Sequence, residues 1–166
     1  MIILGIDPGT ATTGYGVING CKGHRVCLID YGCIITNPKF STGERLQKIH
    51  IELGKLIKKY KPDIISVETL YFFKNLKTVM PVSQARGVIL LAAAEKNIPV
   101  LDFTPLQMKM AITGYGRAEK KQVQKMIEIL LCLEKKPKDK NKRKDDATDA
   151  LGIAICAALK MKLDIT

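Results

Sequence analysis

The chain has 166 residues, 46% of them hydrophobic and 26% charged, and it is read as one compact domain over residues 1–166 with enough apolar material for a real core. Its 27 Lys and Arg against 16 Asp and Glu give a formal charge of +11, which favours polyanions, nucleic acid ahead of an anionic membrane surface. No apolar run reaches the roughly 18 residues of a spanning helix and the apolar N-terminus is shorter than a signal peptide, so a cytoplasmic protein with no membrane partner is expected.

Residues 1 to 36 read as three antiparallel strands: Ile2 to Ile6, Gly14 to Ile18 after a Gly- and Thr-rich turn, and Arg25 to Ile35. The cysteines number five, and no Cys-x-x-Cys pair occurs, which argues against a disulfide framework or a thiolate zinc site. Cys21-x-x-His24 supplies half a zinc set at most, because His50 is the only other histidine. Ser41 or Thr42 caps a helix to about Tyr60, with Leu46, Ile49, Leu53, Leu56 and Ile57 on one face. After Lys61-Pro62-Asp63, the apolar run Ile64 to Val67 has the composition of a central strand, with Glu68 at its end.

A long helix is expected from about Asn75 to Lys96, with Pro81 marking a late start or a kink, and then a short strand from Ile98 to Leu101. Thr104-Pro105-Leu106-Gln107 has the form of a capping box with proline at the first helical position, and opens a helix to about Ile112. A further helix runs from about Ala118 to Leu133. The segment Lys135 to Lys144 holds seven basic residues and Asp139, and reads as a loop carrying +6 of the +11. The last helix, from near Asp145 to about Lys160, is apolar or small almost all round and must be buried.

The chemistry lies with four acids. Asp7 closes the first strand before Pro8-Gly9, where it is either a turn aspartate or a carboxylate at a strand's carboxyl end, with Gly9 admitting a phosphate. Glu68 abuts a buried strand, which is costly unless the carboxylate is paired or binds a cation. Asp146 and Asp149 lie three residues apart at a helix start, on one side of it, where the helix dipole favours their ionised forms. Asp145 competes with Asp146, but is also placed to be the N-cap. Four such carboxylates suit two hard cations about 4 Å apart, as in phosphodiester hydrolysis, with magnesium the default.

Gly5-Ile6-Asp7-Pro8-Gly9-Thr10 with Thr13-Gly14-Tyr15-Gly16, Val67-Glu68, Ser83-Gln84-Ala85-Arg86-Gly87, the block from Thr104-Pro105 to Val123 and Asp146-Ala147-Thr148-Asp149-Ala150 together resemble the RuvC family of bacterial Holliday junction resolvases, almost end to end. The resemblance implies an α/β fold of the RNase H type: a five-stranded mixed sheet, three antiparallel strands then two parallel to the first, with helices on both faces. It implies an endonuclease of recombination and repair that makes paired symmetric nicks in four-way DNA junctions, leaving 5′-phosphate and 3′-hydroxyl ends. Asp7, Glu68, Asp146 and Asp149 would hold two Mg2+ per site, with Mn2+ as a substitute, and Lys109 and Lys120 would be the catalytic lysines near the scissile strand. On the residues alone, these two lysines read as a solvated helix face.

Tyr71, Phe72 and Phe73 either anchor the next helix or stack on bases opened at the junction, worth roughly 1 to 3 kcal/mol per base. The resemblance places its wedging aromatic at Tyr71 or Phe72. The basic tract, Lys142, Arg143 and Lys144 included, is expected to grip DNA phosphates. A homodimer with its sites facing one side would suit a two-fold junction, with the helix 75 to 96 as interface through Val82, Ala85, Ile89, Ala92 and Ala93, unless that stripe packs on its own sheet. A RuvA-RuvB branch-migration complex is the further partner implied. The rivals are a YqgF-type nuclease, against which the Thr104 to Val123 block argues, an actin-like nucleotide-binding module, which would need a second phosphate loop, and a module that binds DNA without cutting it.

Overall fold

The computed structural model describes residues 1–20, 26–69, 76–133 and 143–163. Cys21, His24, Tyr71, Phe72, Phe73 and Lys142 lie outside the described residues, as do the side chains of Arg143 and Lys144. The elements are β1 (Ile2–Asp7), β2 (Thr12–Gly20), β3 (Val26–Ile35), α1 (Thr42–Tyr60), β4 (Ile64–Glu68), α2 (Leu76–Ala94), β5 (Val100–Phe103), α3 (Pro105–Thr113), α4 (Lys120–Leu130) and α5 (Arg143–Leu163). They form one sheet in the order β3-β2-β1-β4-β5, with β1 antiparallel to β2, β2 antiparallel to β3, and β4 parallel to both β1 and β5. The mixed five-stranded sheet expected above is the one observed.

Side chains alternate across a strand, so the sheet has two apolar faces and two cores. Leu4, Ile6, Val17, Ile65 and Val67 pack with Ile49, Leu53 and Ile57 of α1 and Ala85, Ile89, Ala92 and Ala93 of α2. On the other face Ile3 and Ile18 pack with α5 and with Met108, Ile112, Val123 and Ile127 of α3 and α4. The α2 stripe offered above as an interface is therefore used within the chain. Ala85, Ile89, Ala92 and Ala93 are buried there, and Val82 is half-buried. Among the described residues, no helix is long and apolar enough to cross a membrane.

Boundaries moved where caps dictated them. Ser41 and Glu44 close a capping box on α1, and Thr104 and Gln107 close another on α3, as read from the sequence. α4 begins at Lys120 rather than Ala118, because the Gln122 side chain accepts from the Glu119 amide at 2.9 Å and sets the first turn there. β5 begins at Val100 rather than Ile98. Asn97 takes a left-handed φ of 53°, and the Ile98 amide still bonds the Ala93 carbonyl at 3.0 Å, so Ile98 belongs to the end of α2. α5 begins at Arg143, which puts Asp145 and Asp146 in its first turn and removes the N-cap role considered for Asp145.

Candidate active site

Parity and register bring the acids together before any side chain is considered. Ile3, Gly5 and Asp7 share the α5 face of β1, as Ile64, Ser66 and Glu68 do on β4. The parallel pairing Ile6↔Val67 then sets Asp7 beside Glu68 at the carboxyl ends of adjacent strands. The third contribution comes from α5, which lies unusually close to the sheet. A Cβ on Gly14 would fall 2.1 Å from the Asp146 carbonyl oxygen, and one on Gly5 would fall 2.2 Å from that of Ala150. Gly14 is the register partner of Asp7. The missing side chain thus lets the first turn of α5 approach the end of β1.

The turn after Asp7 is braced from two sides. Thr13 Oγ1 donates to the Gly9 carbonyl at 2.6 Å, and Thr36 Oγ1 donates to that of Thr10 at 2.5 Å. Arg45 Nε in turn donates to Thr36 Oγ1 at 2.8 Å. A Cβ on Gly9 would meet the Thr12 carbonyl oxygen at 2.3 Å, so the turn itself already requires this glycine. Sequence reasoning missed Thr36 and Arg45, and took Thr13 only as part of a motif, without this role. A hydroxyl that braces a distant loop leaves no local spacing signal.

Electrostatics bind the acids into one unit. Asp7 is pushed up from 3.8 to about 8, first by burial and then by Glu68, Asp149 and Asp146, with Lys120 opposing. Glu68 is raised by burial and by Asp149, against a hydrogen bond from Asp7 and the charge of Lys120. Burial also raises Asp149, whose carboxylate is only 19% exposed, while Lys120 pulls it down and Asp145 pushes it up. Lys120 Nζ donates to Asp149 Oδ2 at 2.7 Å and stands 4.0 Å from Asp145 Oδ2. Burial alone would lower this lysine, but Asp149, Asp145 and Asp146 raise it on balance.

The neighbouring aspartates now separate. Asp146 acts on Asp7 directly, whereas Asp145 acts on Lys120 and Asp149 from a carboxylate that is 46% exposed. Lys109 is half-buried on α3, and it is not among the charges acting on Asp7, Glu68 or Asp149. Its backbone carbonyl accepts from Thr113 Oγ1 at 2.8 Å. The structure therefore brings Asp7, Glu68, Asp146, Asp149 and Lys120 together, and carries Lys109 on α3.

Among the described residues no three His, Cys, Asp or Glu side chains are arranged so as to hold a metal ion. The raised proton affinity of Asp7 and the ammonium of Lys120 offset part of the cluster's charge instead. The donor set nonetheless fits a hard divalent cation, being all oxygen, partly buried and self-repelling, so that added positive charge relieves it.

A strand-end and helix-start acid cluster on a β3-β2-β1-β4-β5 sheet defines the class: a protein of the RNase H-like fold. The model of the family "Crossover junction endodeoxyribonuclease RuvC" matches residues 3–157, and the chain belongs to the RuvC family. A crossover junction endodeoxyribonuclease RuvC of Fusobacterium nucleatum is 50% identical over 93% of this chain and 78% of its own length. One of Alkaliphilus metalliredigens is 51% identical over 95% of this chain and 93% of its own. Among solved structures, T. thermophilus RuvC in complex with Holliday junction substrate superposes with a TM-score of 0.89 at 30% identity, covering 99% of this chain and 96% of that one. Membership of this nuclease family implies dependence on a divalent metal.

Proposed function

We propose that this chain is an endonuclease that resolves four-way DNA junctions by paired, symmetric nicks, working on phosphodiesters through Asp7, Glu68, Asp146 and Asp149. The observation that carries the reading is the convergence of β1, β4 and α5 on one group of mutually repelling carboxylates, in a chain of net charge +11. The four acids would hold two Mg2+ ions, which Mn2+ can replace, and when bound these supply Lewis-acid polarisation and an activated water. Asp7 and Glu68, fixed on adjacent strand ends, hold one side of the site, and Asp146 and Asp149 hold the other from α5.

Lys120 is close enough to Asp149 to serve as a positioned cation for a scissile phosphate or the charge that develops on it. Lys109 is assigned the same kind of task from α3. Tyr71, Phe72 and Phe73 are assigned to the opened junction, and Lys142, Arg143 and Lys144 to the DNA backbone, which they would grip without reading sequence.

Two coordinated cuts call for a homodimer. Its contact is proposed on the outer face of α2, where Met80, Gln84, Gly87, Leu91 and Ala94 are exposed in a single stripe opposite the buried one. The cytoplasm is the expected location, and a RuvA-RuvB branch-migration complex the expected further partner.

The test is cleavage of a synthetic four-way junction in magnesium. Asp7→Asn should abolish nicking, by a factor of at least roughly 10³ as expected for loss of metal-assisted chemistry, while junction binding persists. Full cleavage by this variant would overturn the assignment.

A further inference from the structure

The end of the sheet opposite the acids carries a groove that the proposed reaction does not use. Asp7 and Glu68 close the carboxyl ends of β1 and β4, whereas Lys61 and Pro62 precede the amino end of β4 and Ile98 that of β5, two strands that run parallel. Both α1 and α2 stop at this end. Lys61 and Asn97 take left-handed φ angles of 46° and 53°, which turn the chain from each helix toward its next strand. These two turns line a cavity of about 460 Å3, within the size range of ligand sites.

Its floor is apolar and its rim is cationic. Ile57 and Pro62 are buried and Ile98 is half-buried, while Lys58, Lys61 and Lys96 are exposed around them. None of these lysines has a carboxylate partner among the described residues. The acids nearest in sequence are engaged elsewhere: Asp63 Oδ2 accepts from the Ile2 amide at 2.7 Å, and Glu95 pairs with His50 at 3.1 Å. Neither lines the cavity. A helix end contributes about half a negative charge, so the ends of α1 and α2 together offset about one of the ammonium charges. The rim stays positive.

We infer that this groove docks an acidic segment of a partner protein, with an apolar side chain seated on Ile57, Pro62 and Ile98 and carboxylates at Lys58, Lys61 and Lys96. Burial of the apolar side chain supplies affinity, and the lysines set the charge of the partner that is accepted. A sugar-phosphate chain would satisfy the lysines, but it has no apolar side chain for the floor. Because the acids lie at the other end of the sheet, the segment can be held while they engage a junction.

The probe is a fluorescent peptide with a central leucine pair flanked by aspartates, titrated into the 15N-labelled full chain. Binding should shift the amides of Lys61, Lys96 and Ile98, and should weaken as salt is raised. Replacing the leucines by serine should weaken it at least about tenfold, the loss expected when a buried apolar side chain is withdrawn. Lys61→Glu with Lys96→Glu should weaken it about tenfold by like-charge repulsion, while the melting curve and junction cleavage stay as in the wild type. No shift at these amides, or equal binding of the serine peptide, overturns the inference, and both are read on the wild-type chain. So does a DNA duplex that displaces the peptide and shifts the same amides, or loss of junction cleavage in a double variant with an unchanged melting curve, either of which would make the groove a nucleic-acid contact.

Discussion

At the scale of single residues, the acids carry a free-energy cost that a bound cation would offset. In the unfolded chain Asp7 ionises near its ordinary value of 3.8, whereas in the folded chain it keeps its proton up to about 8. Its native form therefore binds the extra proton between those values, so stability present below about pH 4 is lost as the pH rises toward 8. The metal-free protein should melt at progressively lower temperature over that window, and Mg2+ should restore most of the loss at pH 8. Asp7→Asn should flatten the profile, and thermal denaturation in EDTA and in magnesium reads both effects. Asp145 and Asp146 divide in the same way: Asp146→Asn should nearly abolish junction cleavage, while Asp145→Asn, which removes a neighbour of Lys120, should slow it only a few-fold, about 1 kcal/mol in transition-state terms. Comparable losses in a junction-cleavage assay would contradict that division. Asp7 and Glu68 were legible in the sequence because each ends a strand-like run. Lys120 was legible only through the family resemblance, since a lysine that reaches Asp149 looks from spacing alone like any exposed helix lysine.

At the scale of elements, α5 organises the site. Its apolar surface all round announced burial, and residues Ala150 through Ala158 are indeed buried without a break. Its start was harder to read. Basic residues are unfavourable near the positive end of a helix and an aspartate is a good cap, so local rules favoured Asp145, yet the helix begins at Arg143. Packing against β1 and β2 fixes its position more strongly than its own first turn does. The same limit applied to α2, where a stripe of small and apolar residues is compatible with either a core or an interface, and only the presence of α1 and the sheet decides. Gly14→Ala should test the close approach of α5. The new methyl would fall on the Asp146 carbonyl, costing about 1 to 3 kcal/mol and lowering the melting temperature by roughly 5 °C. Because the strain falls on the turn that carries Asp146, isothermal titration should also find weaker Mg2+ binding. An unchanged melting curve and unchanged magnesium affinity would mean that α5 sits farther from the sheet.

At the scale of the molecule, charge is distributed unevenly around a fixed frame. The segment from Lys135 to Lys144 carries +6 of the +11, and its last two residues open the helix that bears the last acids. Converting Lys142, Arg143 and Lys144 to glutamine should make the plot of log affinity against log salt shallower by about 0.9 for each phosphate no longer neutralised, measured on a junction by fluorescence anisotropy. A slope equal to wild type would mean that the tract touches no phosphate. The resemblance read from ordered motifs covered the chain almost end to end, and the fold and the comparisons agree with it. Composition alone had reached only nucleic acid.

The closeness of α5 to the glycines of β1 and β2 has a consequence for synthesis. Asp7 leaves the ribosome well before Asp149, and the two meet only when α5 closes over the sheet. A nascent chain that has paired all five strands still lacks half of its acid cluster. If the four acids act as proposed above, the chain gains the means to cut DNA only at the step that completes its second core.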